Sequence, residues 1–199
     1  MKILMPMLAF SAITSASLNA QAQNDTSRIS RQALLIADSL VKTEHYENWS
    51  TYADLVPASV IKYYGGKDGF VEHTRIGSMR TLSVLQEDAP QLQLLTLRTE
   101  KEQWQCVIRM SRYFHKEDKK FHQVTYFVGQ SKDDGVTWRL FDASHNAVSN
   151  INLLLPDVFG DLPIPQPVII TEEDELAQQQ AAAKTAAKPV GSKPKTARK

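Results

Sequence analysis

The spacing of apolar residues changes once along this chain, from helical to alternating, and the change falls near Leu92. Before it, apolar residues recur every three or four positions, as on one side of a helix. After it, they occur at every second position, as on one face of a half-buried strand. The segment with the clearest alternation carries Trp104, Cys106, Ile108 and Met110. Helices followed by consecutive antiparallel strands predict the α+β fold class.

Three helices are predicted before the change of period. The first runs from Asn24 to about Glu47 and presents an apolar stripe through Ile29 and Leu40. The second covers about Thr51 to Tyr64, with Pro57 as a break or an early-turn position. Gly65-Gly66 then ends it, and a third helix covers Lys67 to Leu82.

Four strands are predicted after it. The first starts at Leu92, and the second follows the alternation of residues 104–110. A charged turn over His115–Lys120 leads to the third strand, Phe121 to Gln130. The turn signal Asp134-Gly135 then predicts a hairpin into a last strand that carries Val136, Trp138 and Leu140.

Residues 1–22 are interpreted as a cleaved signal peptide. Lys2 precedes an apolar stretch, and Ala20 and Ala22 supply the small residues that signal peptidase needs. The stretch is shorter than the roughly 20 apolar residues that span a bilayer, so we expect no transmembrane anchor. The mature protein is therefore expected to be periplasmic or secreted.

The C-terminal segment, residues 172–199, differs in composition from the rest of the chain. It begins with the acidic run Glu172–Glu175 and continues with Ala, Gln, Lys and Pro. A helix over Glu172 to Ala187 fits these residue types, and disorder is predicted past Pro189. The basic end is either an idle terminus or a tether to anionic envelope surfaces. One domain, residues 25–171, remains between the two termini.

Composition excludes several classes of function. Cys106 is the sole cysteine, so no disulfide forms within the chain, and a small buried residue is the expected role. The formal net charge of +1 gives no support for nucleic-acid binding. No histidine pair has the spacing of a metal site, so neither a metal nor another cofactor is predicted. Arg109 and Arg112 leave two interpretations open, a solvated strand edge or an anion site.

The most specific short motif is residues 131–138, SKDDGVTW. It matches the Asp-box S-x-D-x-G-x-T-W of sialidases and other β-propellers. In this motif Ser and Asp side chains satisfy turn amides, Gly takes a positive φ, and Trp covers the base of the hairpin. The motif occurs once, in a chain too short for several propeller blades. It therefore predicts a well-built hairpin and no sialidase activity.

Two further motifs, together with the order of elements, resemble exported bacterial members of the NTF2-like superfamily. They are Tyr63-Tyr64-Gly65-Gly66-Lys67 before a helix with Phe70, and the late Asp-Gly-x-Thr-Trp at residues 134–138. The resemblance covers about Ile29 to Asp142. It implies a cone of N-terminal helices packed on a curved antiparallel β-sheet, with a pocket between them.

Four residues are the candidates for lining that pocket: Tyr46, Trp49, His73 and Tyr126. Aromatic walls with a few polar tips are typical of small-molecule sites, although the same residues also suit plain core filling. The superfamily includes isomerases, but no residue of this chain matches their catalytic pattern. His73 and His122 remain candidate bases because imidazole titrates near neutrality.

The sequence thus predicts an exported envelope protein that binds a small ligand or a protein partner without catalysis. The alternative is an isomerase- or hydrolase-type enzyme that uses the pocket of the cone.

Overall fold

The computed structural model describes residues 14–82, 85–86, 89–100, 102–145 and 151–186, with the backbone alone for residues 14–24, 78–82, 85–86, 145, 182 and 184–186. The predicted signal peptide lies mostly outside these residues, and the basic end of the chain, 187–199, lies outside them entirely. Within the described ranges no helix is long and apolar enough to cross a membrane.

Four helices form the N-terminal half: α1 (Thr14–His45), α2 (Trp49–Asp54), α3 (Ala58–Tyr63) and α4 (Lys67–Leu82). The bounds of α4 are those predicted. The predicted second helix is two short ones because Pro57 occupies the N-cap of α3 and has an extended ψ of 139°. The first helix begins earlier than predicted, at Thr14.

The stripe of α1 that enters the core is formed by residues three or four apart. Ile29, Ala33, Ala37 and Leu40 are each no more than 1% exposed. Two of them are alanines, whose small side chains let neighbouring elements approach α1 closely. The helix is therefore held by its buried side, as expected for a surface helix of a globular domain.

The sheet is antiparallel, curved and unclosed. Its centre is the long hairpin of β3 (Gln103–Lys116) and β4 (Lys119–Ser131). Strands β1 (Leu85–Gln86) and β2 (Gln91–Glu100) pair with β3 on the side away from β4. Strands β5 (Arg139–Asp142) and β6 (Val168–Thr171) pair with β4 on the side away from β3. The structure thus confirms the α+β class, with helices on a curved antiparallel sheet.

Both faces of the central hairpin are buried, and they differ in chemistry. Residues paired directly across an antiparallel ladder project to the same side. We call one side the helix face, because Ile29 of α1 contacts the loop at its end and Tyr52 of α2 lies near Asp142 on it. On β3 and β4 it carries Cys106, Ile108, Met110, Thr125 and Phe127. We call the other side the outer face; it carries Gln105, Val107, Arg109, Ser111, His122, Val124, Tyr126 and Val128.

The last strand of the predicted hairpin starts later than expected. β5 begins at Arg139, and Val136 lies in the preceding loop with 57% of its surface exposed. Trp138 is nonetheless only 1% exposed. It packs beside Gly129 on the helix face, where a Cβ at position 129 would lie 2.7 Å from the Cys106 sulfur. Glycine is required there by this close approach.

The chain after β5 covers the outer face, and its elements were not predicted apart from the last helix. A short 3₁₀ turn (Ala143–His145) and α5 (Ile151–Leu154) precede β6. The carbonyl of Asp157 accepts a hydrogen bond from Gln105 Nε2 at 2.6 Å, and the Phe159 amide donates to Gln105 Oε1 at 2.8 Å. Helix α6 (Glu172–Ala186) follows β6 directly and begins where predicted, while its predicted last residue, Ala187, lies outside the described residues.

Candidate functional site

Two of the four predicted pocket residues, Trp49 and His73, belong to one chain of aromatic contacts. Trp49 meets Tyr52 with ring centroids 6.0 Å apart, and His73 stacks on Tyr64 at 4.4 Å. Phe70 joins the two pairs, at 6.1 Å from Tyr52 and 5.7 Å from Tyr64. These rings pack α2 against α4 and the end of α3, while the imidazole of His73 stays exposed.

Burial, reinforced by the charges of Glu44 and Asp142, raises the pKa of Tyr52 well above its usual range. Its phenol therefore stays protonated at neutral pH. This aromatic chain is a packing unit with one polar end, at His73. The ligand-binding role of its two candidate residues remains a prediction.

Among the described ring contacts, none joins Tyr46 or Tyr126 to this aromatic chain. Tyr46 follows α1, is 75% exposed and meets the ring of His45 edge-on. Tyr126 is buried on the outer face, directly opposite Arg109. Alternation along β4 correctly grouped Tyr126 with Val124 and Val128. It did not indicate which face meets the helices, because the strand is buried on both sides.

A cleft of about 300 Å³ lies at the end of the sheet where β4 leaves and β5 enters. We call it the Arg139 cleft. Pro57, Ala58 and Pro156 form its apolar walls. Its polar lining comes from separate segments: Ser59, Gln130, Lys132, Thr137, Arg139 and Asp157.

The charges in the Arg139 cleft are unequally matched. Lys132 Nζ forms an ion pair with Asp157 Oδ2 at 2.7 Å. The guanidinium of Arg139 has no ion-pair or hydrogen-bond partner within the described part of the chain. The cleft therefore holds one cation whose charge no neighbouring carboxylate neutralises.

The Asp-box residues next to this cleft form the local structure that the motif predicts. Ser131 Oγ donates to Asp133 Oδ1 at 2.8 Å and accepts from the Gly135 amide at 3.0 Å. The Thr137 amide and hydroxyl both donate to the Asp133 carboxylate. These bonds, chiefly those from Thr137, lower the pKa of Asp133 from 3.8 to about 2. The motif thus shapes the loop that positions Arg139.

A second polar arrangement lies on the outer face, at the opposite end of β4. Ser111 Oγ is 2.7 Å from His122 Nε2, and His122 Nδ1 is 3.0 Å from Glu175 Oε1. The imidazole also stacks on Tyr113, with ring centroids 4.5 Å apart. The imidazole of His122 on β4 therefore links Ser111 on β3 to Glu175 on α6.

Of this line only His122 was recognised in the sequence as a candidate base. Ser111 pairs across the β3–β4 hairpin with Val124, two residues from His122, which is a register that the hairpin length implies. Glu175 reaches the site only because β6 docks beside β4 and brings α6 with it. No local motif carries that information.

Cys106 is fully buried on the helix face. Burial raises the pKa of its thiol to about 12, so it is a protonated core side chain at neutral pH. Among residues with described side chains, no group of three or more His, Cys, Asp or Glu is arranged to hold a metal ion.

Comparison of the chain with family models, curated proteins and solved structures finds no match.

Proposed function

We propose that this chain is an exported α+β domain that binds a small organic anion in the Arg139 cleft. The observation that carries the proposal is the unpaired guanidinium of Arg139 in a concave site with hydroxyl and amide groups around it. A planar guanidinium recognises a carboxylate through two parallel hydrogen bonds. The volume, about 300 Å³, is at the lower end of the range for small-molecule sites.

The surroundings of Arg139 favour a small polar anion over a bulky apolar ligand. Lys132 is already neutralised by Asp157, so the cleft has a single net positive charge to offer. Ser59 and Gln130 add neutral groups that hydrogen-bond an anion without further charge. The three apolar wall residues limit the contact area to that of a molecule with few carbon atoms.

Binding to the Arg139 cleft is tested by titrating the purified protein with succinate, citrate and inorganic phosphate, followed by NMR chemical shifts. We expect Arg139→Ala to weaken carboxylate binding at least about 10-fold, and Arg139→Lys to restore only part of it. Arg31→Ala is the matched control, because Arg31 is an exposed arginine on α1 that does not line the cleft. Equal affinity of the wild type and Arg139→Ala for every anion would refute the site.

Export to the cell envelope is the second part of the proposal and rests on the sequence of residues 1–22. Amino-terminal sequencing of the envelope fraction should begin close to Gln23. Recovery of intact Met1 in a soluble cytoplasmic fraction would contradict export. Native mass spectrometry of protein purified from its own host then reports any retained ligand or protein partner.

The pocket of an NTF2-like cone is an alternative location for the same ligand-binding function. Its support is the order of elements, helices first and then antiparallel strands. In the cone, the ligand lies between the helices and the helix face of the sheet, near Trp49 and His73, so His73→Ala reduces ligand retention while Arg139→Ala does not. Retention that depends on Arg139 alone favours the cleft instead.

A further inference from the structure

The line of side chains from Ser111 through His122 to Glu175 has the connectivity of a nucleophile, a base and an orienting carboxylate. A carboxylate only accepts hydrogen bonds, so His122 Nδ1 carries the proton that is donated to Glu175 Oε1 at 3.0 Å. In the neutral ring, Nε2 then holds the free lone pair and accepts the Ser111 hydroxyl at 2.7 Å. Both bonds use the ring nitrogens in the order that serine hydrolases use them.

We propose that Ser111, His122 and Glu175 form a nucleophilic triad that hydrolyses a small carboxylic ester. The activity is separate from anion binding in the Arg139 cleft, since the triad lies at the other end of β4. Ser111 is the nucleophile and His122 the general base. Glu175 is a positioning residue, because it holds the imidazole in the required tautomer without contacting the substrate.

The chemistry balances with water as the only co-reactant. Ser111 Oγ forms a bond to the ester carbonyl carbon while His122 Nε2 takes the hydroxyl proton. The carbon–oxygen bond to the alcohol then breaks, and the alcohol leaves with the proton from His122. Water attacks the acyl–Ser111 ester with His122 again as base, which releases the acid and restores the serine.

Two features beside Ser111 suit this reaction. Arg109 projects from the same face of β3 two residues earlier, and within the described residues its guanidinium has no partner. Such a cation stabilises the negative oxygen of a tetrahedral intermediate. Ser111 itself is 9% exposed, so the residue is not sealed from solvent.

The proposal is tested by exposing the full chain to a fluorophosphonate probe and mapping the adduct by mass spectrometry. The Ser111 oxygen displaces fluoride from phosphorus, and His122 takes the proton. We expect one adduct, on Ser111. Ser111→Ala should abolish it, and His122→Gln should slow it by about 100-fold or more, the usual contribution of a general base. Ser144→Ala, which alters a serine of the 3₁₀ turn after β5, is the control and should label like the wild type.

A second variant keeps the test decisive if Ser111→Ala disturbs folding. Ser111→Cys changes one atom, and the base should activate the new thiol toward iodoacetamide at neutral pH. Cys106 is the internal control, because its pKa of about 12 keeps it unreactive. Glu175→Gln preserves a hydrogen-bond acceptor, so the melting temperature should change little while alkylation slows at least 10-fold. A purely structural Glu175 would show the opposite pattern.

An unlabelled Ser111 in folded wild-type protein would overturn the triad. So would an adduct confined to another serine, or labelling of Ser111 that is unaffected by His122→Gln. Turnover of p-nitrophenyl acetate that requires all three residues, and survives Arg139→Ala, would establish the activity as independent of the cleft.

Discussion

Both faces of the central β3–β4 hairpin are buried, but they are stabilised in different ways. The helix face is held by apolar contact, with Cys106, Ile108 and Phe127 at most 2% exposed. It also leaves two buried polar atoms, Thr125 Oγ1 and Trp138 Nε1, without a described hydrogen-bond partner. The outer face carries buried Gln105 and His122, and each is hydrogen-bonded to a segment far away in sequence. Apolar packing therefore stabilises the helix face, and hydrogen bonds of buried polar side chains stabilise the outer face.

The functional consequence follows from the same difference. Apolar burial is non-directional and tolerates approximate geometry. Hydrogen bonds hold particular atoms at particular distances, which is what a chemical or binding site requires. On the central hairpin, Arg109, Ser111 and His122 share this outer face.

The largest expected effect comes from removing Trp138, the largest fully buried side chain. Trp138→Ala should lower the free energy of unfolding by about 3–5 kcal/mol, because the loss of its volume leaves a cavity on the helix face. Urea denaturation followed by circular dichroism measures this. Trp104→Ala is the matched control: Trp104 is only half-buried, so its loss should be clearly smaller. A loss below about 1 kcal/mol for Trp138→Ala would show that apolar contact does not dominate this face.

A change that keeps volume and removes hydrogen bonds tests the outer face. Gln105→Leu removes the partner of the Phe159 amide and the shorter of the two hydrogen bonds that the Asp157 carbonyl accepts. We expect a loss of about 2 kcal/mol, because these part-buried backbone groups lose their hydrogen bonds to Gln105. On the helix face the volume-conserving change Ile108→Leu should cost less than about 1.5 kcal/mol. If denaturation midpoints rank the two substitutions the other way, the contrast between the faces is wrong.

The loop that closes the end of the helix face should weaken in acid. Hydrogen bonds lower the pKa of Asp133 from 3.8 to about 2, so its carboxylate contributes stability above pH 3.8 that is lost as the pH falls toward 2. Because Asp133 is exposed, solvent screening limits the effect to about 0.5 kcal/mol. Asp133→Asn should flatten the fall in stability between pH 4 and pH 2, measured by urea denaturation at each pH. A wild type without that fall would contradict the assignment.

The smallest expected effect is that the Cys106 thiol does not react in the folded protein. Cys106 lies at the centre of the helix face, with a pKa of about 12. Ellman's reagent at pH 8 should therefore release no thiolate chromophore from the folded protein and one equivalent after unfolding in guanidinium. Rapid release of one equivalent from the native state would show that the helix face opens to solvent.

Local patterns in the sequence determined the elements whose signals are short-range. Gly65-Gly66 and Lys67 predicted the start of α4, and alternation at residues 104–110 predicted β3 and its apolar face. The Asp-box predicted the hydrogen bonds of Asp133, since all its partners lie within four residues. In each case neighbouring residues supply both the signal and the interaction that satisfies it.

The tertiary structure alone decided which residues meet across long separations. Burial of β4 on both sides made Tyr126 look like any other core residue, and only the docking of residues 151–171 assigns it to the outer face. Glu175 belongs to a segment whose composition indicated a solvated tail, yet β6 carries it to His122. Arg139 enters its cleft because Trp138 is drawn into the core. Such contacts depend on how whole helices and strands pack together. The free energy that favours this packing comes from many core residues, so no single sequence motif predicts it.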